Sequence, residues 1–181
     1  MKLHTLVLAV SALLACPAAG AAEPMSSYAG EHGRSIKSLS PDRIEGLLAG
    51  KGLGYAKAAE LNGYRGPLHV LELADALGLT PAQREATTAL RARMQQQAIV
   101  LGTDLVAAEE KLEMMFHHGH VDATTLQAQL DRIAALEASL RHAHLAAHIE
   151  QRDLLTSEQN ARYPQLRGYH PGESHQGHHG H

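Results

Sequence analysis

The feature that most constrains this chain is a pair of apolar stripes of helical period, separated by a short break. Leu90, Met94, Leu101, Leu105, Ala108, Leu112 and Met115 fall on one helical face, and Leu126, Leu130, Ile133, Leu140 and Ala147 fall on another. The spacing predicts one helix from Pro81 to about Met115 and a second, capped by Asp122, running to about Leu154. Val121 stands where it would staple Leu126. Gly119 interrupts the pattern, and the connection from Phe116 to Val121 is short. Short connections make antiparallel neighbours. The fold class is therefore all-α, built on a long antiparallel helical hairpin with short helices before it. One stripe per helix buries too little surface alone. Either the preceding short helices or a second copy of the chain must cover it, so a homodimer is expected. Aromatic residues are scarce, with one Phe, no Trp and five Tyr among 181 residues. Leu and Ala must then supply the core, which suits helix-on-helix packing.

A pentapeptide brackets this hairpin. Leu79-Thr80-Pro81-Ala82-Gln83 opens it and Leu155-Thr156-Ser157-Glu158-Gln159 closes it, and both read L-T-x-x-Q. The pattern is a capping box, in which Thr accepts from the N3 backbone N–H and Gln reaches back to the Thr N–H. Pro81 sits at N1, where its missing N–H costs nothing. The second copy starts a short final helix that ends near Pro164.

With Leu79, Thr80 and Gln83 matched by Leu155, Thr156 and Gln159, the chain resembles the Spy/CpxP family of bacterial periplasmic proteins, defined by this doubled motif. The resemblance covers residues 67–166. It implies an intertwined, curved all-helical dimer. It also implies either divalent-metal sensing in envelope-stress or heavy-metal-resistance signalling, or ATP-independent chaperoning of unfolded periplasmic proteins. A membrane sensor kinase or an anti-sigma protein would be the signalling partner.

The first 22 residues read as a secretory signal. Lys2 gives the positive start, Leu6 to Ala15 the apolar stretch, and Ala19-Gly20-Ala21 the cleavage site, with Gly20-Ala21-Ala22 as an alternative. The expected location is the periplasm. Leu13-Leu14-Ala15-Cys16 also resembles a lipobox, which would make a membrane-anchored lipoprotein through Cys16. Either outcome leaves no thiolate for a metal, because Cys16 is the single cysteine. Residues 23–66 form an N-terminal arm. Glu23 to Ser38 carries no period and is expected to be mobile. Ser40-Pro41-Asp42 then starts a short helix faced by Ile44, Leu47 and Leu48. Further short helices are expected over Tyr55 to Leu61 and His69 to Leu77.

Fourteen histidines are the anomaly of composition. Imidazole titrates near neutral pH and ligates metals. His117, His118 and His120 lie at the hairpin tip. His144 and His148 are spaced i,i+4, which brings two imidazoles to one helical face, whereas His142 points nearly opposite. A Met from another segment (Met94, Met114 or Met115) and a carboxylate would complete such a site. His170, His175, His178, His179 and His181 stud a polar tail, residues 167–181, with no apolar residue to pack, so it is expected to be disordered. Histidine without thiolate suits zinc foremost, with nickel, cobalt or copper as alternatives.

No catalytic constellation is present: no G-x-S-x-G, no P-loop, no H-E-x-x-H and no Cys nucleophile. The expectation is a binding protein and not an enzyme. A formal net charge of −3 argues against nucleic acid as a partner. Arg91, Arg93 and Lys111 with Glu109, Glu110 and Glu113 read as a solvated helix face.

Overall fold

The computed structural model describes residues 26–169, and the signal region through Met25 and the tail histidines lie outside them. The chain divides into two compact units, Met1–His32 and Gly33–His181. In the first, the Tyr28 N–H donates to Ser26 Oγ at 3.2 Å, and a single 3-10 turn, Glu31–Gly33, begins near its end.

The second unit carries six α-helices and, among the described residues, no strand: α1 (Pro41–Leu48), α2 (Lys57–Leu61), α3 (Pro67–Glu72), α4 (Pro81–His117), α5 (Ala123–Leu154) and α6 (Ser157–Leu166). The protein is all-α, as the periodicity predicts. Helices α4 and α5 pack along each other as the hairpin, while α1 and α3 lie on α4, and α2 and α3 touch α5. Asp122 caps α5, accepting from the Thr125 N–H at 2.8 Å.

The short helices differ from the expected bounds. Helix α2 begins at Lys57 and α3 covers Pro67–Glu72, with turns carrying the chain on to Gly78. Pro67 sets the first helical turn of α3 two residues before the apolar pattern suggests.

Ile36 and Leu39 are buried with Leu47, Ala98, Leu105 and Leu140 in one core cluster. The stretch before Ser40 is therefore no mobile arm at its C-terminal end. Ser38 Oγ donates to Glu109 at 2.9 Å, and both the backbone and the side chain of Lys37 bond Glu113. Two acids of the expected solvated face thus strap this segment to α4. Two lone apolar residues in a turn leave no period for sequence reading to find.

The α4–α5 seam is also more polar than the Leu stripes imply. Thr87 of α4 is buried, as are Gln129 and Gln151 of α5, whereas Leu130 is 42% exposed. Gln129 donates to the Ala108 carbonyl at 2.7 Å, and Gln151 donates to Thr87 Oγ1 at 3.2 Å. Buried amides must find partners, and here each finds one across the seam.

The two L-T-x-x-Q boxes both form, and they clasp one another. Gln83 Oε1 accepts from the Thr80 N–H at 3.0 Å and Gln159 Oε1 from the Thr156 N–H at 2.9 Å. The two amides then bond each other: Gln83 Nε2 donates to Gln159 Oε1 at 2.8 Å, and Gln159 Nε2 donates to Gln83 Oε1 at 3.1 Å. Gln83 Nε2 also donates to the Leu154 carbonyl at 3.0 Å and Gln159 Nε2 to that of Leu77 at 3.4 Å. Leu79 and Leu155 are buried in a second core cluster with Val70, Ala74, Leu77 and Tyr163. The doubled motif ties the two open ends of the hairpin together.

Helix α6 does not end at Pro164; it runs through to Leu166. A proline inside a helix leaves the carbonyl four residues earlier without its N–H donor. That carbonyl belongs to Asn160, and the Arg65 guanidinium donates to it at 3.0 Å. The same guanidinium stacks over the Tyr163 ring, 4.8 Å from its centroid.

Candidate functional site

One cleft brings together residues from five segments. Its volume is about 330 Å³, and His144 and His148 of α5, Met94 and Arg91 of α4, and His69 of α3 all line it. The remaining wall is largely small: Ala49, Gly50, Gly52, Ala56 and Gly66.

His144 and His148 share a face of α5, as their spacing predicts, but their environments differ. His144 is 4% exposed, and its Nε2 is buried without a hydrogen-bond partner. Burial, reinforced by the neighbouring His148, pushes its pKa below the ordinary imidazole value, so the ring is neutral at pH 7. Tyr55 stacks on it, with ring centroids 5.8 Å apart and planes within 8°. Tyr55 is itself held from below. Its hydroxyl donates to Glu137 at 2.6 Å and accepts from Arg43 at 3.0 Å. Burial, followed by the Glu137 carboxylate, raises its pKa to about 12. The loop that delivers Tyr55 passes through Leu53 at a φ of +43°, an uncommon conformation for a branched side chain that its packing in the core maintains.

His148 has a fixed tautomer. Its Nδ1 lies 2.9 Å from the Tyr64 carbonyl, which can only accept, so Nδ1 carries a proton, and in the neutral ring the lone pair is on Nε2. Nε2 faces Gly66, where an added Cβ would approach it to 3.0 Å. Glycine there spares the ring that contact. Glu60 stands 3.7 Å behind Nδ1. Its oxygens are taken by the Tyr163 hydroxyl at 2.7 Å, the Tyr169 hydroxyl at 3.2 Å and the Gly66 N–H at 3.2 Å. A histidine that donates one ring N–H to a carbonyl while offering the other nitrogen is the arrangement metal ligands adopt.

The residues fit a metal to this extent: two imidazoles on one helical face, one held by its Nδ1–H and one with an orphaned Nε2, and a thioether on the facing helix. Among the described residues, however, no group of three or more His, Cys, Asp or Glu is arranged to hold a metal ion. Met114 and Met115 lie near the hairpin tip, away from this cleft's lining, so Met94 is the methionine brought to the pair.

His117, His118 and His120 are exposed at the tip. Their rings neighbour one another, with centroids 5.0 Å apart for His117 and His118 and 6.0 Å for His118 and His120. His142 is exposed, opposite the pair. His170, His175, His178, His179 and His181 lie outside the described residues. Sequence reasoning missed Tyr55, Glu60, Tyr64, Gly66 and His69. All reach the pair through long-range contacts, which leave no local spacing to read.

No family model, no curated protein and no solved structure matches this chain. Fold and site together define an all-α hairpin protein with a histidine-floored cleft at its side. No helix among the described residues is long and apolar enough to cross a membrane.

Proposed function

We propose that this chain is a periplasmic divalent-metal-binding protein of the Spy/CpxP type, which modulates envelope-stress or heavy-metal-resistance signalling and performs no catalysis. His144 and His148 hold the ion, with zinc foremost and nickel, cobalt or copper as alternatives. The tip and tail histidines form a second, weaker class of site, because ordering free ligands costs entropy. The observation that carries this reading is the histidine pair itself: the His148 Nδ1–H is committed to the Tyr64 carbonyl at 2.9 Å, His144 Nε2 is buried without a partner, and both residues line one cleft. The bound ion would satisfy that nitrogen. Change in the ion's occupancy is the signal passed to a membrane sensor kinase or anti-sigma protein.

A chaperone reading has its own support. Val100 is 58% exposed, Phe116 58% and Ile149 52%, single apolar side chains spread along the hairpin of the kind that unfolded clients or the second copy of a homodimer would cover.

Calorimetric titration of the secreted chain with zinc separates these readings. At pH 7.5 the parent binds in a tight and a weak class. Combined His144→Ala and His148→Ala substitution removes the tight class, and deletion after Leu166 reduces the weak one. Tight binding fades on acidification, because protons compete for the same lone pairs, and the lowered pKa of His144 places that loss below the ordinary imidazole range. Tight binding undiminished in the double variant would return the histidine pair to a structural part and put the chaperone reading first.

A further inference from the structure

Asn62-Gly63 is the only Asn-Gly pair in the chain, and it ends α2. Its structural part is a helix stop. The Gly63 N–H donates to the Glu60 carbonyl at 3.4 Å and the Tyr64 N–H to that of Ala59 at 3.0 Å, with Gly63 in the left-handed region at a φ of +88°. The same pair also carries a chemistry. An asparagine side chain can close a five-membered ring with the next backbone nitrogen, and glycine puts no Cβ in the way. We propose that Asn62 is a site of spontaneous covalent modification, at which deamidation and isomerisation to an isoaspartyl linkage release the Tyr64 carbonyl from His148.

The step needs only water. The Gly63 nitrogen gives its proton to solvent and bonds to Asn62 Cγ. The Cγ–Nδ2 bond breaks, and the amide nitrogen leaves as ammonia after taking a proton from solvent. Water then opens the resulting succinimide. Opening at Cγ leaves an ordinary aspartate. Opening at the other carbonyl leaves a backbone that runs through Cβ and Cγ, one carbon longer, with the former backbone carbonyl as a free carboxylate. Nothing is oxidised or reduced.

The turn favours this chemistry at Asn62 and not at the chain's other asparagine. Asn62 is exposed, and its Nδ2 makes one hydrogen bond, to the Ala58 carbonyl at 2.8 Å. Asn160 is half-buried, its Nδ2 donates to the carbonyls of Arg152, Leu155 and Thr156, and Ala161 follows it. Helix α2 has five residues, no side-chain bond at its N-cap and no buried residue. So short a helix has little stability of its own and opens locally. The Gly63 N–H bond, at 3.4 Å, is already longer than the usual range. Opening frees both reacting groups at once.

The consequence follows from the neighbours. Tyr64, one residue past the pair, supplies the carbonyl that lies 2.9 Å from His148 Nδ1. Glu60, two residues before it, accepts from the Tyr163 and Tyr169 hydroxyls and from the Gly66 N–H. An extra backbone carbon between these two anchors cannot keep both stop bonds and both side-chain networks. The Tyr64 carbonyl is the member held by a single contact to α5, so it is the one that moves. His148 then loses the acceptor that fixes its tautomer, whether or not an ion binds beside it.

The test ages the full secreted chain at pH 8 and 37 °C, with peptide mass spectrometry, isoaspartyl methyltransferase labelling and imidazole nitrogen NMR as readouts. The Asn62 peptide is expected to convert at least tenfold faster than the Asn160 peptide and to accept the methyl label. In the converted protein the His148 nitrogens are expected to shift toward a mixture of tautomers. Asn62→Gln, aged alongside, should neither convert nor shift. Asn62→Asp adds the charge without the longer backbone and should keep the Nδ1–H tautomer. Conversion at Asn62 no faster than at Asn160, or converted protein whose His148 nitrogens match those of fresh protein, overturns the inference. So does an Asn62→Asp variant that loses the tautomer as fully as the aged parent, since the added charge would then suffice.

Discussion

Replacing Tyr163 with alanine is expected to lower the unfolding free energy by about 4 kcal/mol, within the range for truncating a buried aromatic side chain. Tyr163 is fully buried and is the largest side chain in the cluster that seats both pentapeptide leucines. Its hydroxyl donates to Glu60 at 2.7 Å, and its ring carries the Arg65 guanidinium. Burial, followed by the Glu60 carboxylate, raises its pKa, so the hydroxyl remains a donor across the working pH range. Truncation thus opens a cavity, leaves Glu60 short of a partner and frees the arginine that satisfies the Asn160 carbonyl behind Pro164. Tyr163→Phe isolates the hydroxyl and should cost about 1–2 kcal/mol, the usual loss for a hydrogen bond to a charged group. Urea denaturation of the three proteins measures both differences. A Tyr163→Ala cost under about 1.5 kcal/mol would show that the site collapses easily and that this end of the hairpin is loosely packed.

The second large effect is expected at Gly102. A Cβ there would lie 2.2 Å from the Leu47 carbonyl oxygen and 2.8 Å from its carbonyl carbon. The obstacle is backbone, so no side-chain rotation relieves it, and α1 must move off α4. Leu47 is 1% exposed, and uncovering it forfeits roughly 2 kcal/mol of burial. Alanine gains about 1 kcal/mol of helix propensity over glycine, which offsets part of the clash. The net expectation for Gly102→Ala is a loss of about 2 kcal/mol, and for Gly102→Val a larger one. Gly52→Ala is the control, since nothing lies within 4 Å of its added Cβ. Thermal unfolding should place Gly102→Ala several degrees below both the parent and the control. A Gly102→Ala midpoint equal to the parent's would mean that α1 does not rest on α4 at this distance.

The two substitutions touch parts of the molecule that differ in how far they were legible. The hairpin was readable because its signals are local: apolar residues at helical spacing, Asp122 as a cap, and the two threonine–glutamine boxes. That the boxes bond one another was not readable, since Gln83 and Gln159 meet only after the hairpin has folded. Gly102 stands in the middle of a helical pattern, where a glycine costs propensity. That cost was a signal of close approach, though it did not name Leu47 as the neighbour. Ile36 and Leu39 went unread because two anchors in a turn have no period. The same holds for the candidate site. The i,i+4 spacing identified His144 and His148, yet the tautomer of His148 depends on a carbonyl 84 residues away. Five of the fourteen residues that line the cleft are glycine or alanine, residue types that carry no chemical signature in a sequence.

The central claim is that His144 and His148 together bind a divalent ion, and it is tested most directly by imidazole nitrogen NMR during zinc addition at pH 7.5. Before zinc, His148 should show the Nδ1–H tautomer that the Tyr64 carbonyl dictates. At the first sub-stoichiometric additions, the Nε2 signals of His144 and His148 should shift together, ahead of those of His117, His118 and His120. Unshifted His144 and His148 signals after the other histidines have saturated would contradict the account.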